Sequence, residues 1–227
     1  MCQAAGWDPR LIVETPCMTK QRRVIIQYGE GAEHEHLIQV TRRHHQRYAT
    51  LWGVDYFIGE PRTAGAKGPH WHRIDLILQM FDRNYSQVVW LDTDCVIVDF
   101  NICLFDASGF GIACCECFDS PTIERHLNTG FLIATRSPET VGFLKEWKER
   151  PLEGVYEDQS SFINMMKSRP YRELLTILPN SFNCVEQHME ARNPIIRAFH
   201  GDPERTRKIE ELVVDLWPDP VSGTAQI

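Results

Sequence analysis

The sequence predicts an α/β domain with a mostly parallel central sheet flanked by helices. Three observations predict it. Short apolar runs of strand length alternate with stretches of helical periodicity, the pattern of a sheet with crossover helices. One run, Val88 to Leu91, is four consecutive apolar residues, as a strand buried on both faces requires. A chain of 227 residues with 43% hydrophobic content is long enough for one sizeable core and short for two full domains.

Taken in order, Val24 to Tyr28 reads as a buried strand closed by Gly29, followed by a polar loop with Glu33, His34, Glu35 and His36. Residues Leu37 to Leu51 read as a helix with a basic side, and Gly53 ends it before a strand from Val54 to Ile58. A Gly- and Pro-rich loop runs from Gly59 to Pro69. Ile74, Ile77, Leu78 and Phe81 then recur at the spacing that lines one helix face and lead into Val88 to Leu91. Phe110 to Cys114 and Phe131 to Ala134 are further strands, and Ser137 with Pro138 opens a helix carrying Val141, Leu144 and Trp147. A helix from about Asp158 to Lys167, strands at Leu174 to Leu178 and Ile195 to Phe199, and a last helix opened by Asp202-Pro203 complete the chain. The expected organisation is an extension at 1–22, the main domain at 23–203 and a C-terminal helix and tail at 204–227.

A net charge of −7 gives no basic footprint for a nucleic-acid backbone. The first residues hold neither a signal-peptide core nor a membrane span, which points to a cytoplasmic protein. Eight cysteines without a Cys-x-x-Cys pair read as reduced thiols, and Cys114, Cys115 and Cys117 read as small hydrophobes in an apolar run. His34, His36, His44 and His45 read as solvated loop and helix faces rather than a second metal site.

The residues that carry chemistry follow the central strand. Ligands of open α/β sheets bind beyond the carboxyl ends of the strands, where Asp92 and Asp94 sit. Two carboxylates separated by Thr93 can converge on one hard cation that also grips substrate phosphates, magnesium or manganese by ligand type. Asn128 can offer a side-chain amide to a ligand, and Gly130 would let backbone approach it closely; both also fit a plain turn into a strand. Asp158 is either a functional carboxylate or a helix-opening acid favoured by the dipole. Tyr28 and Gly29, at the end of the first strand, are candidate ligand contacts.

These blocks resemble a known group. Trp71-His72-Arg73, Trp90-Leu91-Asp92-Thr93-Asp94, Leu127-Asn128-Thr129-Gly130-Phe131-Leu132-Ile133, Glu157-Asp158-Gln159-Ser160 and Phe199-His200-Gly201, in this order, are similar to the GT-A glycosyltransferases. Within them they resemble the fungal α-galactosyl- and α-mannosyltransferases and plant xyloglucan α-xylosyltransferases. The resemblance implies a single GT-A, Rossmann-like domain, a UDP-sugar donor, a hydroxyl acceptor and retention of anomeric configuration. It implies a metal held by Asp92, Asp94 and His200, with the imidazole favouring manganese over magnesium. It further implies donor contacts from Arg73 (on the diphosphate), Thr93 and Gly201, and a catalytic Asp158 with Gln159 beside the anomeric carbon. The acceptor class stays open among glycan, lipid, protein and modified DNA base. Members of that group carry an N-terminal membrane anchor that this sequence does not show.

Two other readings stay open at this level. An apolar run before Asp-Thr-Asp-Cys-Val also resembles the first motif of haloacid-dehalogenase-like phosphatases, in which Asp92 would be the nucleophile. Such an enzyme expects the motif near the start of its domain, whereas two strands and a helix precede it here. A nucleotide-sugar-binding protein without turnover is the non-catalytic alternative.

Overall fold

A computed structural model describes residues 21–62, 67–117, 126–152, 157–185 and 191–217. The strands are β1 (Arg23–Gln27), β2 (Asp55–Ile58), β3 (Gln87–Leu91), β4 (Cys95–Ile97), β5 (Ile112–Cys117), β6 (His126–Thr135), β7 (Leu175–Leu178), β8 (Cys184–Val185) and β9 (Ile196–Ala198). The helices are α1 (Ala32–Trp52), α2 (His72–Asp82), α3 (Pro138–Glu149), α4 (Glu157–Met166), α5 (Arg169–Arg172) and α6 (Arg205–Leu216).

Six strands form the central sheet in the order β2-β1-β3-β6-β5-β7. All run parallel except β6, which is antiparallel to both β3 and β5. The expected α/β architecture with a mostly parallel sheet is therefore observed. The all-apolar character of β3 follows from its place: every residue from Gln87 to Leu91 is buried. One face packs Ile74, Ile77, Met80 and Phe81 of α2 with Phe143, Leu144 and Trp147 of α3 against Val24, Val88 and Trp90. The other packs Tyr48 of α1 with Leu104 and Phe105 against Ile25, Val89 and Leu91.

The second sheet, β4-β9-β8, is small, and the sequence periodicity gave no sign of β4. Its three residues form a strand only because Ile196 to Ala198 lies alongside, with Val96 opposite Arg197. Helix α1 starts at Ala32, so Glu33, His34, Glu35 and His36 occupy its first turn rather than the expected loop. Strand β6 is longer than the apolar core of its sequence, starting at His126 and absorbing Asn128-Thr129-Gly130. Its pairing with β5 slips between Cys114 and Cys115, whose partners are Leu132 and Asn128, and this irregularity sets Thr129 and Gly130 toward the end of β3.

His44 and His45 correct the solvated reading, being 2% and 0% exposed. Cys114, Cys115 and Cys117 are buried, as expected of small apolar residues. Helix α6 packs on α1 through a cluster of Leu37, Val96, Phe199 and Ile209. No helix among the described residues is long and apolar enough to cross a membrane.

Candidate active site

Strand β3 ends in a tight turn. Asp92 N donates to Gly130 O at 2.8 Å, which fastens the turn to β6, and Cys95 N donates to Asp92 O at 3.1 Å, which closes it. Inside the turn Thr93 is buried, and its Oγ1 lies 2.7 Å from His34 Nδ1 of α1. The two carboxylates diverge from here. Asp92 accepts the Trp90 indole N–H at 2.7 Å on Oδ1, the same oxygen that faces Arg73 Nη1 at 3.8 Å. Asp94 meets His200, with Oδ1 3.1 Å from Nδ1, and its Oδ2 lies 3.7 Å from Arg205 Nη1.

His200 reaches Asp94 because Phe199 N binds Asp94 O at 3.0 Å, which extends the β4-β9 pairing by one residue. Gly201 then turns away with φ +67°, a left-handed conformation that glycine adopts without strain. Gly130 lies against the His200 ring. A Cβ there would stand 2.6 Å from His200 Cε1, so the bare glycine makes the space in which the imidazole sits.

Electrostatics tie these groups together. Burial disfavours the His200 imidazolium, yet the Asp94 carboxylate outweighs burial and raises the ring to about 9. Burial likewise pushes the Asp94 carboxyl up, but His200 and Arg205 hold it below its ordinary value. Cys95 is buried beside them, its Sγ 3.9 Å from Asp94 Oδ1 and 4.0 Å from His200 Nε2. Burial and the neighbouring Asp94 and Asp92 charges push that thiol well up, so it stays protonated.

Asp94, Cys95 and His200 are the group of described residues whose ligand atoms cluster closely enough for one ion. Asp92 lies outside this group, its carboxylate engaged by Trp90 and facing Arg73. Ligands at right angles on an octahedral cation with bonds of about 2.1 Å lie about 3.0 Å apart, which the Asp94–His200 separation of 3.1 Å matches. A carboxylate and an imidazole fit a manganese-type ion better than a thiol does.

Arg73 and Asp158 form a buried pair. The guanidinium donates from Nε to His70 O at 3.1 Å and from Nη1 to Thr129 O, and Nε lies 2.9 Å from Asp158 Oδ2. That N–H is aimed at His70, so Asp158 Oδ2 accepts no hydrogen bond among the described residues. Burial raises Asp158 to about 6 even though Arg73 pulls it the other way. Glu157, just before it, holds φ +45°, a costly conformation for a non-glycine residue. Arg73 is 4% exposed, and its guanidinium bridges Asp92 and Asp158 at the cavity wall. Gln159 accepts Thr129 N on Oε1 at 2.9 Å, and Asn128 Oδ1 takes both Gly130 N and Asn183 Nδ2 at 2.8 Å. Both amides brace β6 with their oxygens.

A cavity of about 320 Å³ opens over these groups, lined by Tyr28, His70, Asp92, Asp94, His200 and Arg205 among others. Thr93, Arg73, Gly29 and Gly201 also line it. A second cavity of about 560 Å³ shares Tyr28, Gly29 and Glu30 with it and continues to Ile38, Ile58 and Arg62. At the junction Tyr28 OH donates to Glu30, and Arg62 grips the same carboxylate at 2.8 and 2.9 Å. Gly29 is required there, since a Cβ would meet His34 Cβ at 2.6 Å. Sequence reasoning did not single out Arg205, His70, Cys95, Asn183, Glu30 or Arg62; Cys95, directly after the acidic pair, was the one with a local signal.

Residues 62–192, more than half of the chain, match the family described as nucleotide-diphospho-sugar transferase. The chain belongs to the nucleotide-diphospho-sugar transferase family. This membership removes the phosphatase reading of Asp92. The fold is that of GT-A glycosyltransferases. A glycosyltransferase involved in glycosylation of the major capsid of PBCV-1 superposes with a TM-score of 0.63 at 15% identity, over 84% of this chain and 99% of that one. The apo-form glycosyltransferase GlyE of Streptococcus pneumoniae TIGR4 gives 0.56 at 13% identity, over 87% of this chain and 63% of that one. Mouse xyloside xylosyltransferase 1, apo form, gives 0.50 at 10% identity, over 80% and 98%. No curated protein sequence matches the chain significantly.

Proposed function

We propose that this nucleotide-diphospho-sugar transferase moves a sugar from a UDP-sugar to a hydroxyl acceptor with retention of configuration, assisted by a divalent cation, manganese by preference. The observation that carries the reading is the Asp94–His200 pair at the carboxyl end of β3, opening onto two joined cavities. The larger cavity, bounded by Tyr28, Gly29 and Ile58, suits a nucleoside, and the smaller one suits a diphosphate and sugar.

Asp94 and His200 would hold the cation, with Asp92 on the rim of the same cavity. A bound divalent cation supplies charge neutralisation for the departing diphosphate. Arg205, already facing Asp94 and lining the smaller cavity, is the side chain placed to contact the diphosphate oxygens. Arg73 orders the two carboxylates on either side of it. Asp158 is the carboxylate we assign to positive charge developing on the sugar, with Gln159 locking it against β6. The acceptor is a hydroxyl on a glycan, lipid, protein or modified DNA base, and the domain spans 23–203 with the last helix completing it.

A thermal-shift and UDP-release screen across UDP-sugars with manganese, magnesium and chelator tests class, donor and metal together. Metal-dependent UDP release is expected. Tight UDP-sugar binding without UDP release over hours would instead support the non-catalytic reading. The anomeric configuration of the product, read by NMR, tests retention.

A further inference from the structure

Behind the site lies a buried polar network that the proposed chemistry does not use. Strand β4 is the outer strand of the small sheet. Antiparallel pairing alternates, and the bonds Phe199 N to Asp94 O and Val98 N to Ile195 O place Ile97 out of phase with them. The Ile97 N–H and C=O therefore point away from β9 into the core, where unpaired backbone groups are costly. Two consecutive helix residues satisfy them. His44 donates from Nε2 to Ile97 O, and Ile97 N donates to His45 Nε2 at 3.4 Å.

These bonds fix both tautomers. With Nε2 accepting, His45 must carry its proton on Nδ1, which lies 2.9 Å from Gln27 Oε1. Tyr56 OH donates to the same oxygen at 2.6 Å. Two donors on one amide oxygen leave the Gln27 NH2 a single orientation, and it points at Asp92 O at 3.2 Å. That carbonyl is the one that closes the turn by accepting Cys95 N. Gln27 and His45 are both 0% exposed, so no solvent competes.

We propose that Gln27 is a positioning residue for the Asp92–Asp94 turn, held in its working orientation by His45 and Tyr56. Its amide gives the turn carbonyl a second donor from β1 and so fixes the turn from the core side, while Asp94 and His200 face the cavity. The proposal deepens the metal-site reading above and rests on it for the purpose of the turn.

The test is amide hydrogen exchange on the full chain, with manganese affinity measured alongside by EPR of the free ion. Gln27→Met should raise exchange of the Cys95 amide about ten-fold, the scale of one lost hydrogen bond, while β3–β6 ladder amides change less than two-fold. Manganese should bind about ten-fold more weakly. His45→Leu should reproduce both effects through Gln27. His45→Asn, whose amide reaches where Nδ1 does, should restore them to within about two-fold, a rescue that loss of packing would not show; if Gln27→Met does not fold, this His45 pair decides. Equal acceleration of turn and ladder amides, or an unchanged Cys95 amide, overturns the proposal. If the wild-type chain binds no manganese while the exchange pattern holds, the metal reading fails and the positioning role stands.

Discussion

His200, partly exposed at the cavity, and His45, fully buried in the core, lie on opposite sides of one turn, and their surroundings drive them in opposite directions. At the cavity Asp94 holds His200 protonated up to about 9 against the cost of burial. In the core His45 has only neutral partners and a neighbouring His44, so burial depresses it well below the ordinary histidine range. His44 is depressed by the same desolvation with a contribution from Arg47, the cation that faces it from its own helix. Trp217 at the end of α6, Phe100 beside it and Tyr56 beside His45 add no charge. Burial alone does not decide the charge of a histidine; the partner at hydrogen-bond distance does. A charged histidine at the proposed metal site sits beside one built to stay neutral.

Removing the charged partner should do the most damage. Asp94→Ala is expected to lower metal-dependent UDP release by ~10²–10³-fold, the scale of losing one charge-stabilising contact, and unchanged activity in a UDP-release assay would sink the metal assignment. Asp158→Asn keeps shape and removes charge. It should lower kcat by about a hundredfold while the UDP Kd, from calorimetry, stays within about two-fold. Gly130→Ala should weaken manganese binding by roughly ten- to a hundredfold, because the added Cβ collides with the His200 ring at 2.6 Å. Normal manganese affinity in that variant would show that the ring has room the structure does not offer.

The smallest expected effect separates the two histidine environments by pH. For His44 and His45 the folded value lies below the unfolded one of about 6.5, so the unfolded chain binds more protons in acid. Stability should fall as pH drops below about 6.5, with a limiting slope of about 1.4 kcal/mol per pH unit for each histidine kept neutral. For His200 the folded value is raised, so its contribution in the metal-free chain is complete below about 6.5 and lost as pH rises through about 9. Urea unfolding of the metal-free chain across that range measures both arms. Asp94→Asn should remove the alkaline arm and leave the acid arm in place; loss of both would show that the two environments are not independent.

Much of this was legible in the sequence. The apolar run of β3, the helical spacing of α2 and the Ser137-Pro138 opening of α3 are local signals, and local physics is what periodicity and caps record. Ser137 does cap α3, accepting Thr140 N on its hydroxyl at 3.1 Å. Strand β4 was not legible, since Cys95–Ile97 is too short to show a period and exists by pairing with residues a hundred positions on. Arg205 was hidden for the same reason: its place facing Asp94 follows from how α6 lies on α1. Arg73 read as a cation for a ligand, and only packing revealed the carboxylates on either side of it.

The sequence by itself determined the α/β class, the carboxyl-end position of Asp92-Thr93-Asp94 and the set of blocks that meet there, because strand runs and turn residues act over a few neighbours. The tertiary structure alone decided which carboxylate faces His200, that Gly130 makes room for that ring, and that His44 and His45 serve a strand edge instead of solvent. Those outcomes depend on which distant backbone groups are left unpaired once the sheets form, a quantity with no local pattern to read.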